Sequence, residues 1–237
     1  MHRIKALVFD VQGTATDFRT TVSAAARRLA GDRAPAVDWG GFVDDWRRMY
    51  RPALDDILAG RCPWSPVDRI YRAALDSLVD ARGLAFLSDA QREAINFAWQ
   101  TIEPWPDVVP GLSRLKRRFK LATLSNADVS AVVNISKHGQ LPWDAIFAAE
   151  MVQTFKPDPR TYRMALRYLG VEPGEAMMVA CHKYDLHAAR AIGMRTAFVA
   201  RPLEFGPDGE VDTALDATFD INACDFIDLA DQLGCDA

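Results

Sequence analysis

The 237-residue sequence lacks several features that would assign it to a specialised class of protein. It contains no apolar run close to the roughly 18 residues of a membrane-spanning helix. Its basic residues form only short runs such as Lys116–Arg118, and the net charge is −4, so the cationic surface that nucleic acid requires is missing. We therefore expect a globular protein that binds neither membranes nor nucleic acids. A small anion remains a possible ligand, because a pocket for one needs only one or two cations.

Cysteine is scarce, and the four cysteines show no CxxC pair or metal-ligand spacing; they are Cys62, Cys181, Cys224 and Cys235. Residues 1–5 lead directly into a predicted strand, without the apolar segment of a signal peptide. In a chain without an export signal, thiols are expected to stay reduced. The sequence therefore predicts a cytoplasmic protein without disulfides.

Five short apolar runs, each bounded by a turn, predict the strands of a parallel sheet. They span residues 4–9, 119–124, 145–149 (the weakest), 177–180 and 196–199. Helical patterns lie between the later runs, at 109–118, 129–138, 159–168 and 186–192. Strands that alternate with helices indicate an α/β fold with helices on both faces of the sheet.

Residues 18–103 differ from the remainder because no strand-like run interrupts them. Trp39, Phe42, Trp46 and Tyr50 recur at steps of three and four residues, which is the spacing of one face of a helix. We predict a core domain formed by residues 1–16 and 104–237, with a helical domain of residues 17–103 inserted after the first strand. The prolines at 104 and 106 are suited to a hinge where the chain returns to the core.

Reactive side chains follow the predicted strands at the points where each strand ends. In open parallel sheets, ligands bind outside the carboxyl ends of the strands. The residues at these ends are Asp10, Ser125, Asn126, Lys156, Cys181, His182 and Asp185. A carboxylate nucleophile, a hydroxyl–amide pair, an ammonium group and a second carboxylate are thus predicted to meet at one edge of the sheet.

These strand ends resemble the four ordered motifs of the haloacid dehalogenase superfamily. The matching segments are Asp10-Val11-Gln12-Gly13-Thr14, Leu124-Ser125-Asn126, Lys156-Pro157-Asp158, and Asp185. Trp46-Arg47 and the segments 180–186 and 195–202 are similar to the L-2-haloacid dehalogenase branch, which includes relatives active on fluoroacetate. The resemblance spans nearly the whole chain. It implies a Rossmann-like parallel sheet with an inserted α-helical cap domain.

The resemblance implies hydrolytic dehalogenation of short-chain 2-haloacids, without a metal or other cofactor. Asp10 would displace the halide and form an ester with inversion at carbon 2, and water would then hydrolyse that ester. Lys156 would keep Asp10 ionised, because a nearby cation favours a charged carboxylate. Asp185 would orient Lys156 or help to activate water. A helix N-cap is the structural alternative for Asp185.

The resemblance also identifies Arg47 as the residue that receives the departing halide, assisted by the side-chain amide of Asn126. Arg48 and Arg51 have the same chemistry, and only the family match favours Arg47. The predicted substrate-binding residues are Thr14, Ser125, Gln12, His182 and Trp64. For Trp64 a place in the hydrophobic core is the alternative, and for His182 the alternative is a hydrogen-bonded structural residue. A cysteine nucleophile at Cys181 is disfavoured because Asp10 explains more of the pattern.

Gln12 separates the alternative functions on physical grounds. Phosphatases of the superfamily use an acid two positions after the nucleophile to protonate the leaving alcohol. Glutamine cannot transfer that proton, whereas a halide leaves unprotonated. A phosphonate hydrolase would need a cap lysine, and residues 18–103 contain none. A magnesium-dependent phosphatase and a non-catalytic binding protein remain the alternatives. The expected ligand is a small anionic 2-haloacid, and a homodimer is one option for the assembly.

Overall fold

We describe the protein from a computed structural model, which covers residues 4–34 and 36–235. The strands are β1 (Ala6–Phe9), β2 (Thr16–Asp17), β3 (Glu103–Pro104), β4 (Lys120–Thr123), β5 (Ala176–Ala180), β6 (Arg195–Val199) and β7 (Ile221–Ala223). The helices are α1 (Phe18–Ala30), α2 (Trp39–Leu58), α3 (Val67–Ala81), α4 (Asp89–Phe97), α5 (Val108–Leu115), α6 (Val129–His138), α7 (Pro159–Leu169), α8 (Lys183–Ala191) and α9 (Phe226–Gln232). No helix in these two ranges is both long enough and apolar enough to cross a bilayer.

Five strands form one parallel sheet in the order β4-β1-β5-β6-β7. The central strands β1 and β5 are buried along their whole length, as expected for a sheet covered by helices on both faces. The predicted α/β class and four of the five predicted strands are confirmed. The sequence patterns did not identify β7 and α9.

The prediction of a strand at 145–149 is wrong. The segment makes only isolated bridges to the edge of the sheet, between Ala122 and Ala145 and between Ser125 and Ala148, and then enters a 3₁₀ turn. Between the bridges, the Thr123 hydroxyl donates to Phe147 O at 2.9 Å and accepts from Phe147 N at 3.0 Å. The Phe147 N–H is thus bound to a side chain and not to a backbone carbonyl, while Phe147 O also accepts from Ser125 N at 3.4 Å.

The four helices α1–α4 occupy the predicted insertion. The two chain crossings that bound it pair as an antiparallel ribbon, with Thr16 opposite Pro104 and Asp17 opposite Glu103. The ribbon coincides with the boundaries at 16/17 and 103/104, and the division into two domains stays a prediction. One continuous hydrophobic cluster contains side chains of both parts, among them Phe9 of β1 and Trp46 of α2.

A capping carboxylate also joins the insertion to the sheet region. Asp128 precedes α6, but its two oxygens accept from the backbone N–H groups of Val67 at 2.9 Å and Asp68 at 2.8 Å, at the start of α3. The start of α6 is served instead by Glu150, whose carboxylate accepts from Val129 N at 2.6 Å. The free N–H groups at the starts of α3 and α6 are thus bound by carboxylates from other segments of the chain.

Candidate active site

A buried lysine lies between two carboxylates at the carboxyl edge of the sheet. Asp10 follows β1, and its backbone N–H donates to Val179 O of β5 at 3.0 Å, which holds it against the sheet. Lys156 Nζ donates to Asp10 Oδ1 at 2.8 Å and to Asp185 Oδ2 at 2.5 Å. The structure thus brings together the three residues predicted to be catalytic, which come from three distant parts of the sequence.

The surroundings of Asp10 favour its ionised form. Burial by itself raises the pKa of Asp10, but Lys156 and His182 outweigh burial and hold this pKa well below its usual range. Burial likewise opposes the charge of Lys156, whereas Asp10 and Asp185 raise the pKa of Lys156 above its ordinary value. Asp10 is therefore a carboxylate at any pH at which the protein would work, as a nucleophile must be.

Asp185 is enclosed on all sides. Its Oδ2 contacts Lys156, and its Oδ1 accepts from the Tyr162 hydroxyl at 2.6 Å. The N-cap alternative for Asp185 is wrong: α8 begins at Lys183, the N-cap position belongs to His182, and Asp185 lies within the first turn. These contacts correspond to the predicted orienting role toward Lys156.

His182 bridges Asp10 and a carboxylate that the sequence analysis did not identify. Its Nδ1 lies 3.1 Å from Asp10 Oδ2, and its Nε2 lies 2.9 Å from Glu204 Oε1. Ionised carboxylates only accept hydrogen bonds, so both ring nitrogens must donate and the ring is an imidazolium. Burial opposes this charge, but Cys181, Glu204 and Asp10 raise the pKa of His182 well above its ordinary value. Burial raises the pKa of Glu204, and His182 outweighs burial and lowers it.

Gly13 makes room for Glu204. Its φ of 89° lies in the left-handed region, and a Cβ at this position would be 2.3 Å from Glu204 Oε1 and 3.4 Å from His182 Cε1. Only glycine combines this backbone conformation with the absence of a side chain. The glycine of the first motif is therefore the one signal in the sequence for a group packed against this turn, although it does not reveal which group.

Two of the residues predicted to bind substrate, Thr14 and Ser125, are buried next to the site. Thr14 is fully buried, its hydroxyl donates to Asp10 Oδ2 at 2.8 Å, and it accepts from Cys181 N at 3.0 Å. Ser125 is also buried, and its backbone makes the bridge to Ala148. In this structure Thr14 positions the nucleophile, while contacts of either hydroxyl with substrate stay predictions. Burial raises the pKa of Cys181, so its thiol is not an activated nucleophile.

Arg47 reaches into the interior from α2 and contacts Gln12. Its Nη1 donates to the Tyr71 hydroxyl at 2.5 Å and to Gln12 Oε1 at 3.4 Å, and Tyr71 also donates to Gln12 Oε1 at 3.3 Å. The guanidinium carbon lies 4.6 to 6.0 Å from the ring centroids of three aromatic residues, which are Phe18, Tyr50 and Trp99. Within the described residues both hydrogen bonds of Arg47 use Nη1, which leaves Nε and Nη2 available to an anion.

The neighbouring arginines of α2 are engaged elsewhere. Arg48 is exposed and pairs with Asp45 at 2.5 Å. Arg51 pairs with Asp55 at 2.8 Å and lies 4.8 Å from the ring centroid of Tyr184. Of the three arginines considered in the sequence, Arg47 is thus the one in contact with a residue of the Asp10 turn, through Gln12.

The side-chain amide of Asn126 is bound to the backbone of Lys156. Asn126 Oδ1 accepts from Lys156 N at 2.7 Å, and Nδ2 donates to Lys156 O at 3.2 Å. This reciprocal pair aligns the lysine. One Nδ2 hydrogen remains, so the predicted contact between Asn126 and halide stays a prediction.

Trp64 packs against the main hydrophobic cluster and is partly buried. Its indole N–H is buried without a hydrogen-bond partner in the described part of the chain. The packing agrees with the core alternative, and a role as a wall of the substrate pocket stays a prediction.

Among residues 4–34 and 36–235, the ligand atoms of Cys181, His182 and Glu204 form a group close enough to surround a metal ion, all within 4.8 Å of one another. The thiol is held protonated, and both imidazole nitrogens already donate to carboxylates. We therefore interpret this trio as a hydrogen-bonded support for Asp10, not as a set of metal ligands.

Comparisons with known proteins agree with this geometry. The solved structure of the L-2-haloacid dehalogenase PA0810 is 39% identical, with a TM-score of 0.91 over 97% of this chain and 99% of that one. The defluorinating L-2-haloacid dehalogenase Rha0230 is 36% identical, with a TM-score of 0.93 over 98% of this chain and 95% of that one. (S)-2-haloacid dehalogenase 1 of Pseudomonas sp. (strain CBS-3) is 29% identical over 85% of this chain and 86% of its own length.

The family model for haloacid dehalogenase-like hydrolases matches residues 4–193, which include Asp10, Lys156, Asp185 and the whole helical insertion. The predicted superfamily and its fold are thereby confirmed, and the chain belongs to the haloacid dehalogenase-like hydrolases.

Proposed function

We propose that the protein hydrolyses short-chain (S)-2-haloacids to 2-hydroxy acids and halide through an ester on Asp10. One observation carries the proposal: a buried carboxylate held ionised by Lys156 is followed, two positions later, by a glutamine that binds an arginine. The relatives named as L- or (S)-2-haloacid dehalogenases support the substrate class and its handedness.

In the first step, Asp10 attacks carbon 2 from the side opposite the halogen. A carbon–oxygen bond forms, the carbon–halogen bond breaks with its electron pair on the halide, and the configuration inverts. Developing halide charge requires fixed donors in a site shielded from water. The N–H groups on Nε and Nη2 of Arg47, which lies against the rings of Phe18, Tyr50 and Trp99, supply them.

In the second step, water attacks the carbonyl carbon of the ester. The bond between that carbon and the ester oxygen breaks, so the product keeps an oxygen that belonged to Asp10 and the carboxyl group acquires one from water. Lys156 and Thr14, which contact the two oxygens of Asp10, stabilise the negative charge that develops in this step.

Gln12 distinguishes this reaction from phosphoester hydrolysis. Its amide oxygen accepts from Arg47 and Tyr71, so the side chain supports the halide site. The proton that an alcohol leaving group needs has no donor at this position. A magnesium-dependent phosphatase is therefore disfavoured.

The cellular setting and the assembly belong to the same proposal. We place the protein in the cytoplasm, a proposal supported by its four free cysteines. The homodimer stays a prediction that analytical ultracentrifugation would test.

The direct test is halide release from the two 2-chloropropionate enantiomers, measured with and without EDTA. We expect release from the (S) enantiomer, no effect of EDTA, and no phosphate release from p-nitrophenyl phosphate with magnesium. Asp10→Asn should abolish halide release and leave the circular dichroism spectrum unchanged. Single turnover in heavy-oxygen water should label the Asp10 carboxyl group; an unlabelled carboxyl group, or turnover that requires magnesium, would contradict the proposal.

A further inference from the structure

Hydrolysis of the Asp10 ester needs a base, and Asp185 is poorly placed to be that base. Both of its oxygens are already bound, one to Lys156 and one to the Tyr162 hydroxyl, and its side chain has no exposed surface. Water that is to attack the ester must contact both the base and the carbonyl carbon. An enclosed carboxylate on the far side of Lys156 does not offer that contact.

His182 differs from the other hydrogen-bond partners of Asp10 in its exposure. The side chain of Lys156 is 1% exposed and Thr14 is fully buried, whereas the side chain of His182 is 21% exposed. Its Nδ1 faces Asp10 at 3.1 Å. Within the described parts of the chain, three side chains hydrogen-bond Asp10, and of these only His182 can therefore meet solvent water next to the future ester.

Glu204 holds this imidazole from the opposite side. Its Oε1 accepts from Nε2 at 2.9 Å, and Glu204 is itself 3% exposed. A carboxylate behind one ring nitrogen fixes the tautomer and stabilises the imidazolium formed when the other nitrogen accepts a proton. The order carboxylate, imidazole, reacting group is the arrangement of a general-base pair.

We propose that His182, oriented by Glu204, takes the proton of the water that hydrolyses the Asp10 ester, after losing its own proton to solvent when the ester forms. This inference rests on the proposed dehalogenation. It assigns His182 a catalytic role, and it assigns Glu204 a positioning role.

The charges around the ring account for the order of events. In the free protein, His182 faces two anions, Asp10 and Glu204, with Thr14 and the Cys181 thiol beside Asp10 and the Tyr184 ring stacked 5.9 Å away. The nearby cations are Lys156, across Asp10, and Arg47, which acts on Glu204. Esterification removes the charge of Asp10 while both cations remain. The pKa of His182 therefore falls, and the ring becomes a base in the one state that needs a base.

The protons that His182 loses and gains balance over one turnover. Ester formation releases the halide, and the imidazolium then gives one proton to solvent. In hydrolysis, one hydrogen of the attacking water goes to His182 Nδ1 and the other ends on the hydroxyl group of the product, while the water oxygen stays on Asp10. The protein returns to its starting state, with one proton released for each halide.

The test is mass spectrometry of the full-length protein after it is mixed with (S)-2-chloropropionate. His182→Ala should release about one halide per site, retain the acyl group on Asp10, and turn over at least a hundredfold more slowly, the lower limit for general-base catalysis. A second histidine–glutamate pair, His138 with Glu103 at 2.7 Å, is exposed and does not hydrogen-bond Asp10, so it supplies matched controls. His138→Ala and Glu103→Gln should keep wild-type turnover and carry no acyl group.

Glu204→Gln keeps the imidazole and provides the second variant. Ester hydrolysis should become slower, and its rise with pH should move to lower pH, because His182 loses an anion that favours its charged form. A role of Glu204 in packing alone would leave this pH profile in place. The inference is overturned if His182→Ala hydrolyses the ester at the wild-type rate, or releases no halide although correctly folded. The absence of halide release from the wild-type protein would overturn the proposed function itself.

Discussion

At the scale of single residues, the site balances three cations against three carboxylates. Lys156 contacts Asp10 and Asp185, and His182 contacts Asp10 and Glu204. Arg47, the third cation, donates to Gln12, two positions after Asp10. A buried charge that loses its partner is strongly destabilising. Changes in this group should therefore affect stability as well as catalysis.

Removal of the Lys156 charge leaves Asp10 and Asp185 as neighbouring buried anions. Lys156→Met should lower the free energy of unfolding by about 3–5 kcal/mol at neutral pH. The native pKa of Asp10 lies below its unfolded value of about 3.9, so the wild-type interaction stabilises the fold above that pH and is lost in acid. The destabilisation should thus shrink as the pH falls and a carboxylate takes up a proton.

Urea unfolding at neutral and acidic pH measures this difference for Lys156. The control is Lys116→Met, which removes a half-exposed ion pair with Asp144 and should cost less than about 1 kcal/mol. Equal destabilisation by the Lys156 variant at both pH values would show that lost packing, not charge, is responsible.

The arginines of α2 offer a direct comparison of a half-buried and an exposed guanidinium. Arg47→Ala should slow halide release at least tenfold, which corresponds to about 1.4 kcal/mol of barrier, because the developing halide loses its fixed donors. Arg48→Ala should react at the wild-type rate, since Arg48 contacts Asp45 outside the site. Rapid-quench measurement of halide gives both rates, and equal rates for the two variants would remove Arg47 from the halide site.

At the scale of elements, short segments without periodicity limited what the sequence could predict. Residues 145–149 form an apolar run, yet the Phe147 N–H donates to the Thr123 hydroxyl and not to the backbone of β4, and only isolated bridges result. β7 is only three residues long, and one of the three, Asn222, is polar. Glu204 follows β6 by several residues in an irregular loop, so its contact with His182 exists only in the folded chain.

Asp128 precedes α6 but caps the start of α3, so its carboxylate should help to hold the insertion against the sheet region. Asp128→Ala should lower the free energy of unfolding by about 1 kcal/mol, the usual cost of a lost helix cap, and accelerate hydrogen exchange at the amides of Val67 and Asp68. Asp38→Ala removes the N-cap of α2, where the Asp38 side chain accepts from Gly41 N of the same helix. This control should cost a similar amount but leave exchange at residues 67 and 68 unchanged. Unaltered exchange in the Asp128 variant would mean that α3 docks by other contacts.

At the scale of the whole molecule, the order of strand ends along the chain was sufficient to predict where the site lies. Asp10 and Asp185 meet as expected, because the carboxyl ends of parallel strands share one edge. Lys156 meets them although the segment before it, 145–149, lies along β4 through isolated bridges and does not form a strand. The aromatic enclosure of Arg47 was not predicted. Tyr50 follows the spacing of one helix face, and that spacing does not show that a guanidinium would lie against its ring.

The hydrophobic cluster shared by the sheet and helices α1–α4 restricts the movements that could admit substrate to the site. Movement of these helices away from the sheet would expose large aromatic side chains such as Trp46 and Phe9 to water, and the lost burial would cost several kcal/mol of free energy. We therefore expect small molecules to enter when the side chain of Tyr184 changes rotamer, because Tyr184 is 42% exposed and its ring stacks on His182. On this expectation, the space that the Tyr184 side chain can vacate, and not the movement of a hinged lid, limits the size of the acid that the enzyme accepts.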